Sequence, residues 1–177
     1  GSSFIDFLSG VHLYAGIITA LFERTRTGLG RLVEVSMQET AYPTMASNLG
    51  LVYRSKGKVP QRVGNRHGGL ALAPYNVYEA KDGHIAIVCA TEDHWVKILK
   101  SMGREDLVTD ERFSTNKVRV EQIKRTDDFV EAWTRTITRN ELFKLSKEFG
   151  FPAAPVRDLI EVMNDPHMHA RGQLEWF

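Results

Sequence analysis

At 177 residues, 42% of them hydrophobic and 25% charged, the chain is long enough for one domain or two small ones and apolar enough to build a core, which excludes a disordered segment. Its 23 basic and 22 acidic side chains leave a net charge of +1, so no field of one sign recruits nucleic acid or membrane in bulk. The single cysteine, Cys89, excludes an internal disulfide framework and suits a reducing cytoplasm.

Leu8, Val11, Ala15, Ile18 and Phe22 recur at helical spacing and predict a helix over residues 7–25. Ser9, Gly10 and His12 interrupt its apolar run, which reads as too short for a membrane span and lacks the basic flank of a signal peptide. Arg24 and Arg26 suit the helix's negative end, and Gly28 and Gly30 stop it. LVEVSM at residues 32–37 is β-branched and predicts a buried strand, followed by a helix over 38–53. The stretch SKGKVPQRVGNRHGGLALAP changes character: it is rich in Gly, Pro and basic residues and reads as a linker or a functional loop.

Beyond it, YNVYEAKDGHIAIVCAT alternates apolar and polar residues on either side of Lys81-Asp82-Gly83, which predicts a β-hairpin. Helices are predicted over residues 92–102, 115–136 and 139–149, the last opened by a Thr138/Glu141 capping box. Residues 151–156 (FPAAPV) read as extended and returning to the sheet, residues 158–164 as a short helix, and residues 174–177 as the start of a strand. Both ends of the chain read as cut from something larger.

The candidate chemistry is sparse. The six histidines are scattered, with no Cys/His pair at helical ligand spacing; His167 and His169 could chelate, but a solvated loop is the commoner reading and no metal is expected. Gly64-Asn65-Arg66-His67-Gly68-Gly69 is neither a Walker loop nor a dinucleotide fingerprint. Its glycines would let backbone N–H groups approach a ligand, with Arg62 and Arg66 near enough to meet phosphate. Asp6, a carboxylate at the mouth of an apolar helix, suits a helix cap and equally a nucleophile toward a thioester. The residues alone leave both readings open.

Asp6-x-x-Ser9-Gly10-x-His12-Leu13, then Gly16-Ile17-Ile18-x-Ala20-Leu21-x-x-Arg24-x-Arg26-Thr27-Gly28-x-Gly30 and Val33-Glu34-Val35-Ser36-Met37-Gln38-Glu39, resemble the class III CoA-transferases. These include formyl-CoA transferase, carnitine CoA-transferase and the bile-acid-inducible transferases, with alpha-methylacyl-CoA racemase as a relation. Arg62-x-Gly64-Asn65, Ala73-Pro74-Tyr75, Asp82-Gly83-x-Ile85-Ala86-Ile87 and residues 151–156 agree in order, so the resemblance covers nearly the whole chain.

It implies an α/β to α+β fold: residues 1–55 as part of a large Rossmann-like domain, 56–74 as a linker, 75–160 as a small α/β domain and 161–177 as the start of a return to the large domain. It implies that Asp6 is both cap and catalytic nucleophile. An acyl-CoA and a small carboxylate would be the substrates, and no cofactor would be permanently bound. His67, Gly68 and Gly69 match the substrate loop, shorter here than the glycine run of the formyl-CoA transferases. Glu92 stands where the racemases carry an acid, or is a plain helix-start acid; Ser9-Gly10 favours the transferase branch. The family's interlocked dimers imply a homodimer, or association with large-domain segments outside this chain, in the cytoplasm and without nucleic acid or membrane. The alternatives are an inactive remnant serving as a structural module and a racemase fragment.

Overall fold

A computed structural model describes residues 2–59 and 62–176. The chain divides into two compact units, residues 1–60 and 61–177. In the first, helix α1 runs Phe4–Thr27, longer at both ends than the spacing predicts. Ser9, Gly10 and His12 do not break it, because their backbone groups stay in the helical ladder. Ser3 holds the N-cap position without a side-chain cap bond, and Asp6 lies in the first turn. The cap reading of Asp6 is therefore corrected: it is the third helical residue and meets the positive end of the helix dipole from inside. Gly28 ends the helix at φ 73°, its N–H bonded to the Arg24 carbonyl, a left-handed closure that glycine adopts without penalty.

Helix α2 (Met37–Thr44) is capped by Ser36, and α3 (Ala46–Arg54) follows after a break at Met45. The single helix predicted over 38–53 is two, broken at Met45, and Pro43, which supplies no N–H to the ladder, lies in the last turn of α2. Residues 32–36 form no strand. β-branched residues make the segment willing to extend, but a strand exists only by pairing, and the first unit offers it no strand among the described residues. The segment packs instead: a Cβ on Gly16 would lie 2.8 Å from Val33 Cγ1. In this unit only Ser9 and Thr40 are buried among the described residues, while Phe4, Phe7 and Phe22 stand largely exposed. At 24 residues α1 is long and apolar enough to cross a membrane, so the reading of its apolar run as too short does not hold.

The second unit is built on the predicted hairpin. Strand β1 (Tyr75–Ala80) pairs antiparallel with β2 (Gly83–Val88), from Tyr75 opposite Val88 to Ala80 opposite Gly83. Strand β3 (Ala153–Pro155) joins the other side of β2, also antiparallel, giving the order β1-β2-β3. Alternation places Tyr78 and Ala80 of β1 with Ile85 and Ile87 of β2 in the core. There they meet Trp95, Ile98 and Leu99 of α4 (Glu92–Ser101), and Val130 and Leu142 from the helices that follow. The helix predicted over 115–136 is two, α5 (Asn116–Glu121) and α6 (Ile123–Thr134), broken at Gln122. Helix α7 (Arg139–Phe149) carries the Thr138/Glu141 capping box and ends at Gly150. Helices α8 (Leu159–Met163) and α9 (Pro166–Ala170) close the chain. α9 was not expected, and residues 174–176 form no strand; Phe177 lies outside the described residues.

The outer edge of β1 is covered by side chains. Thr134 of α6 donates its hydroxyl to the Glu79 carbonyl at 2.7 Å, the Glu79 N–H donates to the Glu131 carboxylate at 3.3 Å, and the Val77 N–H donates to the Asn76 side-chain carbonyl at 2.9 Å.

Candidate active site

The first unit presents Asp6 on the exposed side of α1. An open groove of about 460 Å³ runs beside it, lined by Asp6, Phe7, Gly10, Val11 and Tyr14. Phe7 and Tyr14 supply apolar walls, and Asp6 is the one charged side chain in the lining. Gly10 lies one turn on from Asp6, where a Cβ would meet nothing within 4 Å, so the groove stays open at that point.

His67, Gly68 and Gly69 lie in the second unit, on a loop bound to the helical layer at several points. Arg66 Nε donates to Asp127 Oδ2 at 2.7 Å. Asp127 is buried and also accepts from the Tyr78 hydroxyl at 2.7 Å and from Asn76 Nδ2 at 3.3 Å. Burial, then the Asp127 carboxylate, pushes the Tyr78 hydroxyl well above its ordinary range and keeps it a donor. Further along, Asn116 Nδ2 donates to the Ala71 carbonyl at 2.7 Å, while its Oδ1 accepts from the Ala73 N–H at 3.1 Å. Arg66 spends its Nε on Asp127; Arg62 is exposed.

Glu92 opens α4. Its Oε1 accepts from the Asn116 N–H at 2.6 Å and its Oε2 from Arg119 Nη2 at 2.7 Å. Arg119 is wholly buried, donates also to the carbonyls of Ala73 and Phe113 at 2.8 Å each, and lies 5.0 Å from the Trp95 ring centroid. Both carboxylate oxygens are engaged with the fold. Cys89, near this cluster, has its thiol pushed up to about 11 by burial.

Among the described residues no group of three His, Cys, Asp or Glu side chains could hold a metal. His167 and His169 lie on α9 rather than in a solvated loop, two positions apart and so on different sides of the helix. His169 Nε2 bonds the Met163 carbonyl at 2.8 Å and its ring stacks on Trp176.

The family model for CoA-transferase family III matches residues 1–176. The chain belongs to that family. It is 32% identical over 175 residues to the succinyl-CoA–D-citramalate CoA-transferase of Chloroflexus aurantiacus, covering 98% of this chain and 43% of that one. It is 29% identical over 177 residues to the acetyl-CoA:oxalate CoA-transferase of Acetobacter aceti, covering 98% and 44%. Among solved structures, a CaiB/BaiF family protein from Brucella suis matches with TM-score 0.76 and 31% identity over 97% of this chain and 45% of that one. The fold is the family's mixed helix and sheet, and the chain spans less than half the length of the curated relatives it matches.

Sequence reasoning missed the residues that anchor the family member's glycine loop. Asn116 and Arg119 share one face of α5 at i and i+3, a spacing visible in the sequence, but their targets lie more than forty residues away along the chain. Asp127 gave no signal, because its partner Arg66 is 61 residues distant.

Proposed function

We propose that this chain carries the nucleophile of a CoA transferase that moves CoA from an acyl-CoA donor to a small carboxylic acid. The observation that carries the reading is Asp6, a single carboxylate on the first turn of an apolar helix, facing an open apolar groove. In this reading, chain outside these residues closes the groove and limits the water that would hydrolyse an activated acyl group. The Asp6 carboxylate attacks the donor thioester carbonyl, forming a mixed anhydride and expelling CoA thiolate. The thiolate attacks the Asp6 carbonyl of that anhydride, giving an aspartyl-CoA thioester and releasing the donor acid. The acceptor carboxylate then attacks this thioester, forming a new anhydride and freeing thiolate again. Thiolate attack on the acceptor carbonyl yields the new acyl-CoA and restores Asp6.

Each step exchanges acyl carriers of similar energy, so no nucleotide is consumed. His67, Gly68 and Gly69 serve the substrate in this reading. In this reading the exposed flank of α1 is covered in the assembled protein by chain outside these residues or by a second copy. A buried cysteine thiol suits a cytoplasmic setting.

Asp6→Asn in the full-length protein tests the assignment. The variant is expected to bind acyl-CoA with little change and to lose turnover by several orders of magnitude. Hydroxylamine added after acyl-CoA should trap a modified Asp6 in the unaltered protein and nothing in the variant. Equal turnover by the two proteins would leave Asp6 as a helix-start acid.

A further inference from the structure

The groove beside Asp6 is built by one stripe of α1: Asp6, Phe7, Gly10, Val11 and Tyr14. Asp6, Gly10 and Tyr14 follow at steps of four residues, and Phe7, Val11 and Tyr14 at steps of four and three, so both rows climb the same face of the helix. Asp6 and Tyr14 stand eight residues apart, a rise of about 12 Å. Long helical side chains lean toward the N-terminus, which is the direction of Asp6 from Tyr14. The groove is therefore polar at its two ends and apolar between them. Tyr14 is 68% exposed, and its hydroxyl has no hydrogen-bond partner among the described residues. No cation lines the groove.

We propose that the acyl arm of the thioester lies along this stripe, its carbonyl carbon at Asp6 and its far end at Tyr14, and that Tyr14 selects acyl groups ending in an uncharged hydrogen-bond acceptor. This rests on the transferase reading above. Two arms leave a thioester carbonyl. The pantetheine arm carries two amides, each with a donor and an acceptor to satisfy, and beyond Asp6 the groove offers one hydroxyl. The acyl arm is short and mostly methylene, which matches the walls of Phe7 and Val11 with the open floor at Gly10 between them. A far-end carboxylate would enter with no cation to meet it and with the Asp6 carboxylate on the same stripe. A ketone oxygen needs only the donor that Tyr14 holds. A methyl-ended chain of equal length would strip water from that hydroxyl and leave it unpaired.

The test is Tyr14→Phe in the full-length protein, assayed with acyl-CoA donors in matched sets. Each set holds an oxoacyl-CoA with its ketone near the far end, the alkanoyl-CoA of the same carbon count, and the dicarboxylic monothioester of that count. Several lengths are compared. The readout is the ratio of kcat/KM between members of a set on one protein sample, which does not depend on the folded fraction. At the length that spans the groove, the oxoacyl-to-alkanoyl ratio should fall roughly 2–10-fold in Tyr14→Phe, the worth of one hydrogen bond between uncharged groups. The dicarboxylic-to-alkanoyl ratio should not move.

The proposal is overturned if no length shows the fall, which would leave other chain or a second copy in the groove. It is overturned equally if every donor loses alike, as a pantetheine arm against Tyr14 would require, or if the fall is confined to the dicarboxylic members. Asp6→Asn measured alongside separates the two ideas. An active Asp6→Asn sinks the transferase reading itself, whereas an inactive Asp6→Asn with unmoved ratios in Tyr14→Phe sinks only the selecting role of Tyr14.

Discussion

The carboxylate of Glu92 and the guanidinium of Arg119 meet at 2.7 Å, and only one of them is out of water: Arg119 is wholly buried while the Glu92 side chain is about half exposed (54%). The buried cation is satisfied by two backbone carbonyls and this one carboxylate. Glu92→Gln keeps the shape and removes the charge. It should lower stability by about 1.5–3 kcal/mol, the range for a hydrogen bond to a charged group, measured by urea unfolding. Turnover per folded molecule of the full-length protein should stay within a few-fold. A loss far beyond that would return Glu92 to the chemistry.

Gly10 pulls stability and access apart. A Cβ at this helical position meets nothing within 4 Å, so Gly10→Ala should stabilise α1 by up to about 1 kcal/mol through helix propensity. The same methyl narrows the groove beside Asp6. Expected together are a higher urea midpoint and a higher KM for acyl-CoA, and a variant with unchanged KM would show that the groove does not admit substrate there.

Gly16 has the opposite problem. Its missing Cβ would come within 2.8 Å of Val33 Cγ1, and a branched side chain has little room to yield. Overpacking costs about 1–3 kcal/mol, which outweighs the propensity gain of about 1 kcal/mol. Gly16→Ala should therefore destabilise the protein, and Val33→Ala added to it should recover most of the loss. A double-mutant cycle without coupling would mean that residues 32–36 do not pack on α1.

Acid should loosen the second unit through named carboxylates. Hydrogen bonds from the Arg112 side chain and backbone hold the Asp110 carboxyl down from 3.8 to about 2. Arg139, with the Asp158 backbone N–H, holds Glu161 below its ordinary 4.5. Folded values below unfolded ones mean stability that is fully present above about pH 4.5 and is lost as the pH falls toward 2. Urea midpoints measured from pH 6 to pH 2 should fall throughout that lower range. Asp110→Asn should flatten the fall, and a curve unaltered by that change would remove Asp110 from the account.

How far the sequence carried the fold depended on whether a signal was local. The hairpin was legible because alternation and Lys81-Asp82-Gly83 act within a few residues, and the Thr138/Glu141 box because its partners are three apart. Asp165 followed by Pro166 is a start signal of the same kind, for α9. The strand at residues 32–36 failed because its β-branched residues state a preference, and pairing needs a neighbour. The break at Gln122 was hidden in a helix-favouring run. It lies between Arg119, drawn inward to Glu92 and Ala73, and Thr126, whose hydroxyl donates back to the Arg119 carbonyl at 3.1 Å. Of the candidate site, Asp6 was visible through its motif, while the clamps on the His67 loop come from residues remote in sequence.

The hydroxyl of Thr134 and the carboxylate of Glu131 do more than join a helix to a strand. A sheet of three strands has two borders, and an open border can be lengthened by any extended segment that drifts past. On β1 the outward carbonyl and N–H of Glu79 and the N–H of Val77 are already engaged. Growth of the sheet in that direction would first require three hydrogen bonds to be given up. Copies of this chain that meet along β1 would have to break those bonds before their strands could pair, which slows fibre growth on that side.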